Sequence, residues 1–239
     1  IPQDFFLYLD NKFKLDLGKN WKTYSTLGPS RFLKKKDNLN DSLVIKYRIG
    51  IENKNNLTKY NNTSIYGYYH FSYNNNFYGY LYSRIVSNPD FFSRYTGKPR
   101  DTSRLGFNSG EVDLSGIGYE NDWLILQIGR GRQSWGAMED LDLVLSEDSP
   151  AYDYGLVALN FGQFRGKYFH GFLENFESIN RYIVGHGIEY SNQKNLVLSL
   201  SEVVIYSGEN RTLDMAYLNP FFSHLEIELN KRSNRTNTG

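Results

Sequence analysis

The sequence predicts an all-β chain, a transmembrane antiparallel up-and-down β-barrel. Three observations carry that expectation: apolar and polar residues alternate along successive stretches, aromatics and glycine dominate the apolar set, and short Asn-rich turns alternate with long polar loops. Among 239 residues there are 20 Tyr, 16 Phe, 3 Trp and 21 Gly, against 2 Met and no Cys. Aromatic and β-branched side chains suit a pleated surface, and glycine suits bends and close strand contacts. A formal net charge of +1 provides no basic footprint for nucleic acid. The lack of Cys removes a disulfide framework, a thiolate zinc site and a cysteine nucleophile together. No run approaches the ~18 consecutive apolar residues of a membrane helix. A membrane strand needs only ~9–11 residues with one apolar face. That signal averages away in a mean hydropathy of -0.55.

The elements follow in order. Leu43, Ile45, Tyr47, Ile49 and Ile51 share one parity and Lys46, Arg48, Gly50 and Glu52 the other, so 43–52 is expected to be a strand with one apolar face. Strands over 64–74 and 77–87 are joined by Tyr73-Asn74-Asn75-Asn76, and the polar stretch 87–110 is a loop. Glu120-Asn121-Asp122 links strands over 111–120 and 123–132, and a second loop fills 133–153. Strands over 154–162 and 165–175 meet at Asn160-Phe161-Gly162-Gln163. In the next strand Tyr182, Val184, His186, Ile188 and Tyr190 alternate with Arg181, Gly185, Gly187 and Glu189. The turn Ser191-Asn192-Gln193-Lys194-Asn195 leads into a strand over 196–207 and a loop over 208–221. Last, Leu225, Ile227 and Leu229 against His224, Glu226, Glu228 and Asn230 predict a tenth strand. Short turns on one side and long loops on the other are the asymmetry of an outer-membrane barrel. No repeat or linker divides residues 1–239, which are taken as one domain.

A soluble β-sandwich or a lipocalin-like barrel also alternates. Sandwich strands, however, run ~5–6 residues where these run ~9–12. Aromatics gather towards strand ends, at Tyr66, Tyr68 and Tyr69, Phe77, Tyr78 and Tyr80, Trp123, Tyr168 and Phe169, and Tyr206, where an interfacial girdle is expected.

From about residue 123 the sequence carries motifs of a more specific kind: GRGRQSWG followed by LVLSEDSPAYDYG, and SEVVIYSGENR before YLNP. In combination these resemble the capsule-assembly Wzi family of outer-membrane β-barrels, particularly the forms of the Bacteroidota. The resemblance covers roughly residues 110–230, and residues 1–110 only in strand and loop style. It implies a larger barrel of 16–18 strands in the bacterial outer membrane that attaches or organises surface polysaccharide without catalysis. It leaves as an alternative an accessory barrel subunit of a larger complex for protein secretion, barrel insertion or gliding. The expected partners are the lipid bilayer, surface polysaccharide and other outer-membrane proteins. Because NKRSNRTNTG is a polar tail with no closing aromatic strand, the barrel is expected to be incomplete at its C-terminus.

IGRGRQSWG itself matches neither GxxxxGK[ST] nor GxGxxG, which argues against a phosphate cradle. Arg130 and Arg132 share parity with Leu124, Leu126 and Ile128. Either the face changes character as the strand reaches water, or a bulge near Gly129 or Gly131 re-aims both arginines into the lumen. The acids Glu139, Asp140, Asp142, Glu147, Asp148 and Asp153 could form a calcium site or a glycosidase carboxylate pair. Their spacing matches no EF-hand loop, and the plainer reading is a charge network with Arg130 and Arg132 that holds a loop inside the lumen. His70, His170, His186 and His224 show no HxxxH or HExxH spacing, so no metal motif is read, no cofactor is expected, and no GxSxG elbow supports a nucleophile. If the resemblance extends to ligand, sugar rings would stack on Trp135, Tyr152 and Tyr154, with Arg130, Arg132 and Gln133 bonding hydroxyls.

Overall fold

The computed structural model describes residues 43–55, 61–74, 76–92, 95, 97–133, 135, 144–145, 149–192, 195–220 and 224. Nine strands form one sheet in sequence order, each antiparallel to the next: β1 (Val44–Asn55), β2 (Asn61–Tyr73), β3 (Phe77–Val86), β4 (Ser109–Glu120), β5 (Leu124–Gly131), β6 (Tyr152–Phe161), β7 (Phe164–Phe176), β8 (Ile179–Ser191) and β9 (Val197–Glu209). The up-and-down meander is thus as expected. The expected closure is not seen: among the described residues β1 and β9 are edges, and the sheet is not closed into a barrel. The strand expected over 225–230 and all the acids of 139–148 lie outside the described residues.

The short turns explain themselves chemically. The Asn121 side chain accepts from the backbone N–H of Trp123 at 3.0 Å and Leu124 at 2.8 Å, and Asn192 accepts from Asn195 and Leu196, both at 3.0 Å. Asx turns of this kind supply the hydrogen bonds that the ladder no longer can. Between β6 and β7 the loop is only Gly162-Gln163, with Gly162 at a φ of 68° that favours glycine. On the opposite side lie the long connections 87–108 and 132–151, and past β9 the chain turns through a 3-10 segment, Met215–Leu218.

Register places side chains on two distinct faces. One face is apolar along most of its extent: Ile45, Tyr47, Ile49 and Ile51 pair across with Phe71, Tyr69, Gly67 and Ile65, and these in turn with Gly79, Leu81, Ser83 and Ile85. It continues through Ile117, Leu126, Ile128 and Val157. The four apolar residues of β1 are 64%, 73%, 65% and 66% exposed, and Ile117 and Ile128 are similar. At the short-turn margin of this face sit Phe77 with Tyr119, Trp123 with Phe161, and Phe164 with Tyr190, their ring centroids 5.2, 6.1 and 5.2 Å apart. The other aromatics expected in the girdle are elsewhere: Tyr68, Tyr78, Tyr80 and Phe169 are buried on the second face. Parity decides this, because neighbours such as Phe77 and Tyr78 point to opposite sides.

The second face is packed. Tyr78 stands opposite Gly118, Tyr80 opposite Gly116, and Phe169 opposite Gly185, so each ring lies over a residue with no side chain. A Cβ at Gly116 would sit 2.9 Å from the Tyr80 ring. Ile125, Trp135, Tyr152, Tyr154, Leu156, Phe169 and Ile183 make one core cluster here, and Tyr68, Tyr78, Tyr80 and Leu114 another.

Over the long-loop half of β7–β9 the apolar face is itself covered, while Ile188, Leu198 and Leu200 nearer the short turns stay exposed. Residues 211–218 cross it, with Tyr217 stacked on Tyr206 at 4.4 Å and Tyr206 on Tyr182 at 4.9 Å. Arg211 lies over the Tyr206 ring at 4.5 Å, and Tyr168 donates to the Tyr217 carbonyl at 3.1 Å. Tyr217 of this strap packs with Tyr182, Val184 and Tyr206 of the sheet in one core cluster.

Candidate functional site

The arginines of IGRGRQSWG part company. β5 pairs without a break from Leu124 to Gly131, so Arg130 stays on the apolar face directly across from Asp153, at 3.4 Å. Glu111 lies 3.4 Å from its other terminal nitrogen. This is the first of the two alternatives: the face turns polar where the strand ends. The register break lies in the neighbouring pair, β3 with β4, between Tyr82 and Ser83, where Asp113 is the extra residue.

That bulge matters because it aims Asp113 at two guanidinium groups. Arg84 reaches one carboxylate oxygen at 2.6 Å and Arg132 the other at 3.0 Å, and all three side chains are buried. Arg132 also donates from Nε to the Ser149 carbonyl at 2.7 Å, tying the long loop to the sheet. The Tyr95 ring covers Arg84 at 4.9 Å. Burial holds the Tyr95 phenol above its ordinary pKa, against the hydrogen bond with Ser109, so it stays neutral. Nearer the short-turn end of the second face, Gln127 accepts from Tyr78 at 2.8 Å and donates to Tyr80 at 2.8 Å and Tyr154 at 2.6 Å.

The residues proposed for sugar contact are therefore brought together, but inside the fold. Arg132, Gln133, Trp135, Tyr152 and Tyr154 are all buried, Trp135 completely. Trp135 meets Phe169 edge-on at 5.2 Å and bonds through its backbone to Leu145. As placed, Trp135 and Leu145 of the connection before β6 pack against the second face. Arg130 and Asp153 differ in being accessible, with side chains 32% and 64% exposed. They stand in an open groove of about 850 Å³ on the apolar face, between Ile117, Ile128, Gly155 and Phe172. Of the acids expected in a lumen network only Asp153 is described, and it lies on the apolar face with Arg130.

Among the described residues one group has the composition to hold a metal: His186, Glu202 and His224, whose donor atoms all lie within 4.8 Å of one another. No spacing rule reveals it. His186 and Glu202 meet through the β8–β9 register, and His224 arrives from beyond the strap.

No protein-family model, no curated protein and no solved structure matches the chain.

Proposed function

We propose that the nine-stranded sheet is part of the wall of a bacterial outer-membrane β-barrel, which works without catalysis to attach or organise surface polysaccharide. The observation that supports membrane residence is the exposed apolar face running through β1–β6, bordered by aromatic rings at the short-turn margin. A soluble surface rarely exposes contiguous apolar area beyond a few hundred Å². On β3, Phe77 to Ile85 is nine residues with one apolar face. That is about 26 Å of strand and, tilted by ~40°, about 20 Å of bilayer. The polysaccharide part rests on the resemblance of GRGRQSWG, LVLSEDSPAYDYG and SEVVIYSGENR to the Wzi family, with Arg130 and Asp153 as the accessible hydrogen-bonding pair nearest those motifs.

Two measurements test the two parts. In vesicles whose acyl chains carry shallow bromine atoms, a variant keeping Trp123 as its sole tryptophan (Trp21→Phe, Trp135→Phe) should lose fluorescence. Undiminished emission from a folded protein would overturn membrane residence. In cells, Arg130→Ala with Asp153→Ala should lower retention of surface polysaccharide while the barrel still assembles, and unchanged retention would remove the polysaccharide reading. Shortened glycan chains would instead point to a hydrolase.

The accessory-subunit reading draws on a separate observation: β1 and β9 each pair on one side only among the described residues. Edge backbone cannot face lipid unpaired. A stoichiometric outer-membrane protein copurifying with the chain, cross-linked at β1 or β9, would favour that reading.

A further inference from the structure

We propose that His186, Glu202 and His224 form a binding site for a divalent transition metal of the zinc class, which fastens the chain beyond β9 to the sheet. The site stands on geometry independent of the membrane reading. His186 on β8 and Glu202 on β9 are direct cross-strand partners, set among Val184, Ile188, Leu200 and Val204 on the apolar face. His224 is wholly buried, its ring 4.5 Å from that of His186 and 5.4 Å from that of Tyr217.

The donor atoms have the right separations. His186 Nε2 lies 3.4 Å and His224 Nδ1 3.7 Å from the same Glu202 Oε2. A tetrahedral ion bound at about 2.0–2.1 Å to nitrogen and oxygen needs ligand atoms about 3.3–3.4 Å apart. Closing the third separation, within 4.8 Å, takes a side-chain adjustment of about an ångström.

The plainer account, three residues bonding one another, leaves polar atoms unsatisfied. Of the ligand atoms, His224 Nδ1 is buried without a hydrogen-bond partner. A buried unpaired donor or acceptor costs about 1–3 kcal/mol. Glu202 Oε2 also accepts the His224 backbone N–H at 2.9 Å, which holds the carboxylate towards both rings. Two imidazoles and one carboxylate suit zinc better than calcium or magnesium, which take oxygen ligands, and leave a fourth position for water.

The test uses the full chain in detergent, stripped with EDTA and titrated with zinc chloride by calorimetry, with cobalt chloride as a spectroscopic probe. One equivalent should bind, and cobalt should give the absorption of a tetrahedral site. His224→Ala and Glu202→Gln should each weaken binding by more than about tenfold, while His70→Ala, distant on β2, should not. His186→Cys, which exchanges imidazole for thiolate, should keep binding and add a thiolate-to-cobalt band, which a misfolded chain would not. Zinc should also slow proteolysis between residues 210 and 224. Substoichiometric uptake, uptake equal in all variants, or proteolysis that zinc leaves unchanged would overturn the proposal.

Discussion

Asp113 is the residue on which most converges, since Arg84 and Arg132 both aim at its carboxylate in a buried site. Removing one partner of a buried ion pair typically costs about 3–5 kcal/mol, because charge is left behind without an answer. Asp113→Ala should therefore lower unfolding free energy by that order in denaturant titration. Asp153→Ala, which removes an accessible partner of Arg130, should change it by no more than about 1 kcal/mol. Equal effects would show that burial does not separate the two pairs. Gln127→Leu tests the tyrosine network on the same face: three tyrosine hydroxyls lose their shared amide, for a cost of about 1–3 kcal/mol in the same titration.

At the scale of elements, strand positions were legible because alternation is a local property. Tyr182, Val184, His186, Ile188 and Tyr190 share a parity whatever the rest of the chain does. The turn chemistry of Asn121 and Asn192 was legible for the same reason. What stayed hidden depends on contacts between distant segments. GRGRQSWG could not disclose that Arg132 meets Asp113, because the bulge that aims Asp113 lies in β4. Trp135, Tyr152 and Tyr154 looked like a binding set where a loop meets a strand, but all three are buried, packed together with Phe169 on the second face. The His186, Glu202 and His224 group needs the β8–β9 register and the path of the strap, neither of which leaves a spacing signature. Two element-level predictions follow from the faces and turns. Ile117→Lys on the apolar face should cost about 2–4 kcal/mol if that position meets mid-bilayer lipid, read as loss of folded protein in vesicles but little change in detergent. Gly162→Val forces a β-branched residue to a φ of 68°, and should cost about 1–3 kcal/mol in unfolding free energy.

For the whole molecule, one end has only short turns while the other carries the long connections 87–108 and 132–151 beside the two-residue turn Glu177-Ser178, and the lack of Cys makes each end easy to interrogate. In an outer-membrane barrel long loops face outward, so a cysteine placed at Thr102 should react with an impermeant maleimide on intact cells. One placed at Asn195 should react only once the membrane is breached, and the reverse pattern would invert the orientation. The packed second face has a consequence of a different kind. Because Tyr80 fills the space over Gly116 and Phe169 that over Gly185, neither member of such a pair is free to vary by itself. A side chain arriving at Gly116 is tolerated only where Tyr80 has already shrunk. Change in this sheet should accordingly proceed in linked steps between neighbouring strands, leaving covariation across β3–β4 and β7–β8 as the trace of its ancestry.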